Sequence, residues 1–144
     1  MNATVKAVKT WRTDDGGGWQ ADLFVDGRKA ALVTDEGTGG CLRWQVLNVE
    51  AVEAFATSCG VAQPFAGRSA MVMCDTEMDI EIAKLVDAHE QAKQIKRWCR
   101  SATLFTVPGD EAGSYRTIKA KYAPAVKAHI LGKYPNAVIL NEAL

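Results

Sequence analysis

The chain is poor in metal ligands: it has two histidines and four cysteines in 144 residues, and no Cys-x-x-Cys spacing. That excludes the ligand sets of zinc knuckles and the dithiol of redox motifs, and His89 and His129 fall on separate predicted helices. No metal site is expected. No apolar run approaches the roughly 20 residues a membrane helix needs. Met1-Asn2-Ala3-Thr4 leads straight into alternating residues, not into the apolar segment of a signal peptide. A soluble, cytoplasmic protein without a membrane partner is therefore expected, with Cys41, Cys59, Cys74 and Cys99 as buried free thiols. No Ser/His/Asp or Cys/His arrangement stands out, and there is no internal repeat or low-complexity tract. An enzyme would have to assemble its site from residues that no motif marks.

What is present is an ordinary globular composition, 48% apolar and 24% charged. At this length it suits one core, so a single α+β domain over residues 1–144 is expected. Thr4 to Arg12 alternates as a strand, Asp14 to Gly18 is a turn segment, and Trp19 to Val25 is a second strand. Asp26-Gly27 is a tight-hairpin signal, because both central positions of a type I′ turn need positive φ. Ala30 to Thr34 returns as a third strand, and Leu42 to Val46 reads as a fourth. Asn48 caps a helix from Val49 to Cys59 that Gly60 stops. Val61 to Cys74 is ambiguous, with Ala70 to Met73 a candidate buried strand.

Thr76-Glu77-Met78-Asp79 resembles a capping box opening a long helix to about Cys99 or Arg100, with Ile82, Leu85, Val86, Ala92, Ile95 and Cys99 or Trp98 as its apolar stripe. Ala102 to Val107 and Ser114 to Ala120 read as a looser hairpin. A last helix begins at Pro124, carries Val126, Ile130 and Leu131 on one side, and ends by Pro135. The predicted architecture is a mainly antiparallel sheet, an N-terminal meander plus a C-terminal hairpin, packed against about three helices, one of them long. An open sheet of this kind has an edge that could pair with a second copy as a homodimer.

The formal charge is zero, but it is unevenly distributed. Residues 1–88 hold 8 Lys+Arg against 13 Asp+Glu, a balance of −5, and residues 89–144 hold 9 against 4, a balance of +5. Opposite charges can neutralise each other in the folded chain or solvate separate faces; the alternative is a basic face for an anionic partner. Lys93, Lys96, Arg97 and Arg100 recur at helical spacing and can share one face of the long helix. Arg116 and Lys119 add cations in the hairpin, with Phe105, Tyr115 and Tyr122 near them in sequence. Cations interleaved with aromatics are what a single-stranded nucleic acid or a nucleotide requires, since phosphates need charge and bases need flat surfaces. The competing reading is a solvated helix face.

Asp35-Glu36-Gly37-Thr38-Gly39-Gly40 could expose consecutive backbone N–H groups as an anion-binding nest, with Gly39, Gly40 and Arg43 as candidate ligand contacts. It lacks the Gly-Lys-Ser/Thr ending of a phosphate loop and the strand–loop–helix setting of a dinucleotide fingerprint, so no cofactor is expected. The acidic residues ahead of it also repel phosphate. The plainer role of these glycines is to supply positive φ in a strand connection. Trp11, Trp19, Trp44 and Trp98 read functionally as stacking platforms and structurally as core or near-core residues, and the core placement is the one expected. Asp75, Glu77, Asp79 and Glu81 are read as helix-start carboxylates attracted by the helix dipole, not as acid–base pairs.

Phe24-Val25-Asp26-Gly27-Arg28-Lys29-Ala30 followed by Asp35, Gly37, Gly39 and Gly40 resembles the opening of small accessory proteins of phage and prophage genomes. Thr103-Leu104-Phe105, Gly109-Asp110, Tyr115-Arg116-Thr117-Ile118 and Pro124-Ala125-Val126-Lys127-Ala128 are similar to their C-terminal part. The resemblance covers both ends of the chain and brings no activity or site residue with it. It implies a mobile-element accessory protein acting by stoichiometric binding to a host protein or a nucleotide signal, such as an inhibitor of a host defence system. Two other readings stand beside it: a nucleic-acid-binding module using the basic C-terminal half, and a small enzyme acting on an anionic substrate near the Asp35 to Arg43 loop.

Overall fold

Asp26 and Gly27 sit at φ 49° and 80°, the left-handed pair that a two-residue hairpin needs, and the N-terminal sheet is built outward from this turn. A computed structural model describes residues 1–61 and 76–144, the side chain of Thr76 excepted, so the ambiguous Val61 to Cys74 segment lies almost wholly outside the described residues, as does the part of Thr76 in the expected capping box. Strands β1 (Ala3–Thr13), β2 (Gly16–Val25), β3 (Arg28–Asp35) and β4 (Arg43–Val46) form an antiparallel meander in the order β1-β2-β3-β4. Thr13 pairs with Gly16, so the first turn contains Asp14-Asp15 alone and the expected five-residue turn is shorter than its composition suggests. Gly18 pairs with Trp11 in the strand ladder, and the position takes glycine because a Cβ there would overlap the Trp11 indole and stand 2.7 Å from the Asp35 carbonyl.

The register of β1 on β2 slips between Lys6 and Lys9, where Ala7 takes φ 50°. That irregularity, with exposed Lys6, Lys9 and Arg12, is how sheets discourage an edge strand from pairing with another copy. β2 has its alternate residues Ala21, Leu23 and Val25 fully buried, the period-2 pattern of a half-covered sheet. They pack in one core with Ala31, Val33 and Trp44 from the sheet, with Val52 and Phe55 of helix α1 (Val49–Ser58), and with Met78, Ile82 and Val86 of helix α2 (Thr76–Trp98). Asn48 caps α1 as expected, its side-chain oxygen accepting from the Ala51 N–H at 3.0 Å.

The chain forms two compact units, Met1–Glu90 and Gln91–Leu144, and the division falls within the 23-residue α2. The second unit has its own small sheet of order β6-β5-β7, from β5 (Thr103–Thr106), β6 (Arg116–Ile118) and β7 (Val138–Ile139). All its pairings are antiparallel. Helix α3 (Pro124–Lys133) starts on its proline and contributes Ile130 to a core with Phe105 and Ile139. Asn141 fastens the unit together: its carbonyl accepts the Leu104 N–H at 2.9 Å and its amide donates to the Ala102 carbonyl at 2.9 Å. The α+β class, the meander, the three helices and the long helix agree with the sequence reading, and β7 is an addition to it.

Two expectations are corrected. Cys41 is exposed and disulfide-bonded, whereas Cys59 is half-buried and Cys99 is a half-buried free thiol; Cys74 lies outside the described residues. Of the tryptophans, Trp44 is fully buried and Trp19 half-buried, but Trp11 is 38% and Trp98 47% exposed. At Trp98 the apolar stripe of α2 gives way: Ile95 and Cys99 keep the half-buried side, and the indole, one position round from Cys99, is left outside. Among the described residues no helix is long and apolar enough to cross a membrane.

Candidate functional site

The two candidate surfaces, the glycine loop and the basic segment, differ in how their charges are used. In the loop between β3 and β4, the Asp35 side chain accepts the Gly37 N–H at 2.9 Å and the Gly37 carbonyl accepts from the Thr13 hydroxyl at 2.7 Å. Gly37 has φ +78°, and a Cβ on it would come within 2.7 Å of Thr13 Cγ2 and 3.0 Å of the β2 backbone. The loop is therefore packed against the end of the β1–β2 hairpin, which accounts for its first glycine structurally. Gly39 and Gly40 are exposed, and Arg43 is held by Glu36 at 2.7 Å.

A cleft of about 280 Å³ opens beside this loop, with Trp19, Asp35, Gly40, Leu42 and Asp79 among its walls. Asp79 is fixed there by accepting the Trp44 indole N–H at 2.9 Å and the Leu42 N–H at 3.4 Å. The two acidic walls, Asp35 and Asp79, give this cleft a negative character, and Arg43 is not one of its walls. Its electrostatics oppose phosphate or carboxylate. Among the described residues no group of three or more His, Cys, Asp or Glu is placed to hold a metal ion.

The unit Gln91–Leu144 carries 9 Lys+Arg and 3 Asp+Glu, a balance of +6, and Met1–Glu90 carries 8 against 14, a balance of −6. The uneven charge of the sequence thus follows the structural division almost residue for residue. Two of the three acids are engaged: Asp110 takes a two-pronged bond from Arg116 at 2.9 and 3.0 Å, and Glu142 binds Lys127 at 2.8 Å and the Tyr122 hydroxyl. The Arg116 hydrogen bond holds the Asp110 carboxyl below its ordinary range, and Lys127, then Tyr122, do the same for Glu142. Arg116 also lies over the Tyr134 ring at 4.8 Å. It is a structural cation, so of the predicted contacts it is the one least able to turn to a ligand.

Lys93, Lys96, Arg97 and Arg100 are exposed on the last turns of α2 and just beyond, at the i, i+3, i+4, i+7 spacing of one helix face, and Lys119 is exposed after β6. Among the described residues none of these five enters an ion pair, unlike Arg43 and Arg116. The structure keeps the helix cations of the predicted set together on one unit and leaves Gly39, Gly40 and Arg43 on the other. The sequence reading weighed Trp98 as a stacking platform but favoured the core, although it stands between Arg97 and Arg100, and it did not single out Ser101 and Thr117, which share a cleft with it. The signal available was an indole inside a run of cations. Comparison with protein-family models, with curated proteins and with solved structures finds no match for this chain.

Proposed function

We propose that this protein is a binding protein which acts stoichiometrically, without turnover of its own, by engaging an anionic partner through the unit Gln91–Leu144. The observation that carries this reading is the segregation of charge: the unit has a balance of +6, and its acids are largely occupied by Arg116 and Lys127. Cations whose charge is not cancelled locally raise the concentration of anions at the surface and steer their approach. The reading of the glycine loop as an anionic-substrate site is weakened by Asp35 and Asp79 in its cleft and by the Arg43–Glu36 pair. On the resemblance to phage and prophage accessory proteins the partner is a host component, and inhibition of a host defence system is the role that follows.

Retention on a heparin column is the direct test. Charge reversal at Lys96 and Arg97 lowers the eluting salt concentration well below that of the unchanged protein, whereas reversal at Lys9 and Arg12, equally exposed on β1, changes it far less. Equal loss from both pairs, or from neither, contradicts the proposal.

A further inference from the structure

Two shallow clefts on the C-terminal unit are both walled by Thr117, an exposed residue of the edge strand β6. One, of about 240 Å³, is formed by Trp98, Ser101, Ala102 and Thr117. The other, of about 160 Å³, includes His129, Lys133 and Tyr134. Trp98 is the unusual member: an indole 47% open to solvent in a unit whose buried core among the described residues is small. An indole this open presents a flat face on which another ring can stack, and Ser101 and Thr117, which line the same cleft, bring hydroxyls capable of hydrogen bonding. Arg97 precedes it, Arg100 follows it, and Lys119 stands two residues on from Thr117.

We infer that the Trp98 cleft receives an unpaired base of a single nucleic-acid strand, whose phosphates run to Arg97, Arg100 and Lys119. The inference rests on the anionic-partner reading above and narrows it. The occupant has to match a surplus of cations and also cover an aromatic face. An acidic peptide carries a ring only where its sequence happens to place one, and a duplex hides the faces of its bases in its own stack. A single strand presents both, with a phosphate at every base, and stacking on an indole is indifferent to which base it is. The second cleft, which shares Thr117, offers Lys133 to a further phosphate.

The test uses the full chain and fluorescence anisotropy with three probes: a labelled twelve-residue oligothymidylate, an abasic oligomer of the same length and charge, and thymidine monophosphate. Oligothymidylate is expected to bind at least about tenfold more tightly than the abasic oligomer, a preference that Trp98→Ala removes and Trp98→Phe largely keeps. Lys96 and Arg97 charge reversal is expected to weaken both oligomers and flatten the salt dependence. Equal affinity for the two oligomers, or no effect of Trp98→Ala, overturns the base site while leaving the anionic surface standing. Loss of neither oligomer on charge reversal overturns that surface as well. Thymidine monophosphate bound as tightly as the oligomer overturns the strand in favour of a free nucleotide.

Discussion

The two units are held together by different physics. Met1–Glu90 is organised by burial: a four-stranded sheet with one face closed by apolar residues of α1 and the start of α2, and Trp44 of β4 fully buried in that core with the Phe55 ring centroid 6.1 Å away. Gln91–Leu144 has a core of Phe105, Ile130 and Ile139 among the described residues, and is tied by polar groups, the Asn141 clamp, the Arg116–Asp110 fork and the Lys127–Glu142–Tyr122 cluster. A sheet of three short strands buries too little to hold itself on apolar area alone. The polar ties make up part of that shortfall, and they also take up two of the unit's three acids, leaving a cationic surface.

The largest effects are expected from apolar deletions in the first unit. Trp44→Ala removes a fully buried indole and frees the Asp79 carboxylate from one of its donors, so a loss of roughly 4 kcal/mol is expected in urea denaturation. Trp44→Phe separates the two contributions, since it keeps most of the apolar volume and loses only the indole N–H. A small change in Trp44→Ala would mean that the sheet face is not the main source of stability there.

Asn141→Ala is the matching deletion in the second unit and removes almost no apolar area. It leaves the Leu104 N–H and the Ala102 carbonyl without their side-chain partner, for an expected loss of about 2 kcal/mol. Hydrogen exchange at Leu104 should quicken while that of Leu23 is unchanged. Uniform acceleration across both residues would make the units one cooperative block and erase the contrast.

The polar ties also predict which unit responds to acid. Asp110 and Glu142 have folded carboxyls lowered below their ordinary values by Arg116 and by Lys127 with Tyr122. A lowered folded value means stability that is fully present above the ordinary carboxylate range of about pH 4, and that is lost as pH falls through the lowered values. Glu142 is exposed and Asp110 half-buried, both within reach of solvent, so the effect is modest and screened by salt. Amide signals of Arg116 and Asn141, followed by NMR on lowering the pH, should shift before those of Leu23 and Val33. Arg116→Gln should move the Arg116-side transition back toward ordinary carboxylate values, and an unchanged transition would count against the Arg116–Asp110 fork as its cause.

How much of this could be read from the chain differs by kind of interaction. Asp26-Gly27 and Asn48 announced their turn and cap because the chemistry is local: positive φ in one case, a side-chain acceptor three residues from its donor in the other. β7 has two residues and no alternation to detect, and it forms because Val138 and Ile139 meet β5 some thirty residues away. Asn141 and Asp79 act across chain separations of 37 and 35 residues, and nothing near either position marks it. Of the candidate site, the cations were legible from helical spacing alone. The exposure of Trp98 was not, because Cys99, beside it in the sequence, met the demand of the apolar stripe equally well.

The smallest effect separates cations that are occupied from cations that are available. In the first unit Arg28, Lys29, Arg43 and Lys84 each face an acid, and the Arg43–Glu36 pair is the shortest of those linking different structural elements, at 2.7 Å with both side chains half open to water. Such exposed pairs contribute at most about 0.5 kcal/mol, so Arg43→Ala should barely move the unfolding midpoint. It should also leave binding to the oligothymidylate unchanged within about twofold, since the charge removed was already matched by Glu36 and lies on the acidic unit. Removing a single cation from the other unit, Arg97→Ala, should lower that affinity several-fold and reduce the salt dependence by about one counterion. If the two substitutions weaken binding alike, the partner reads only the total charge of the protein, and the segregation of charge between the units has no part in recognition.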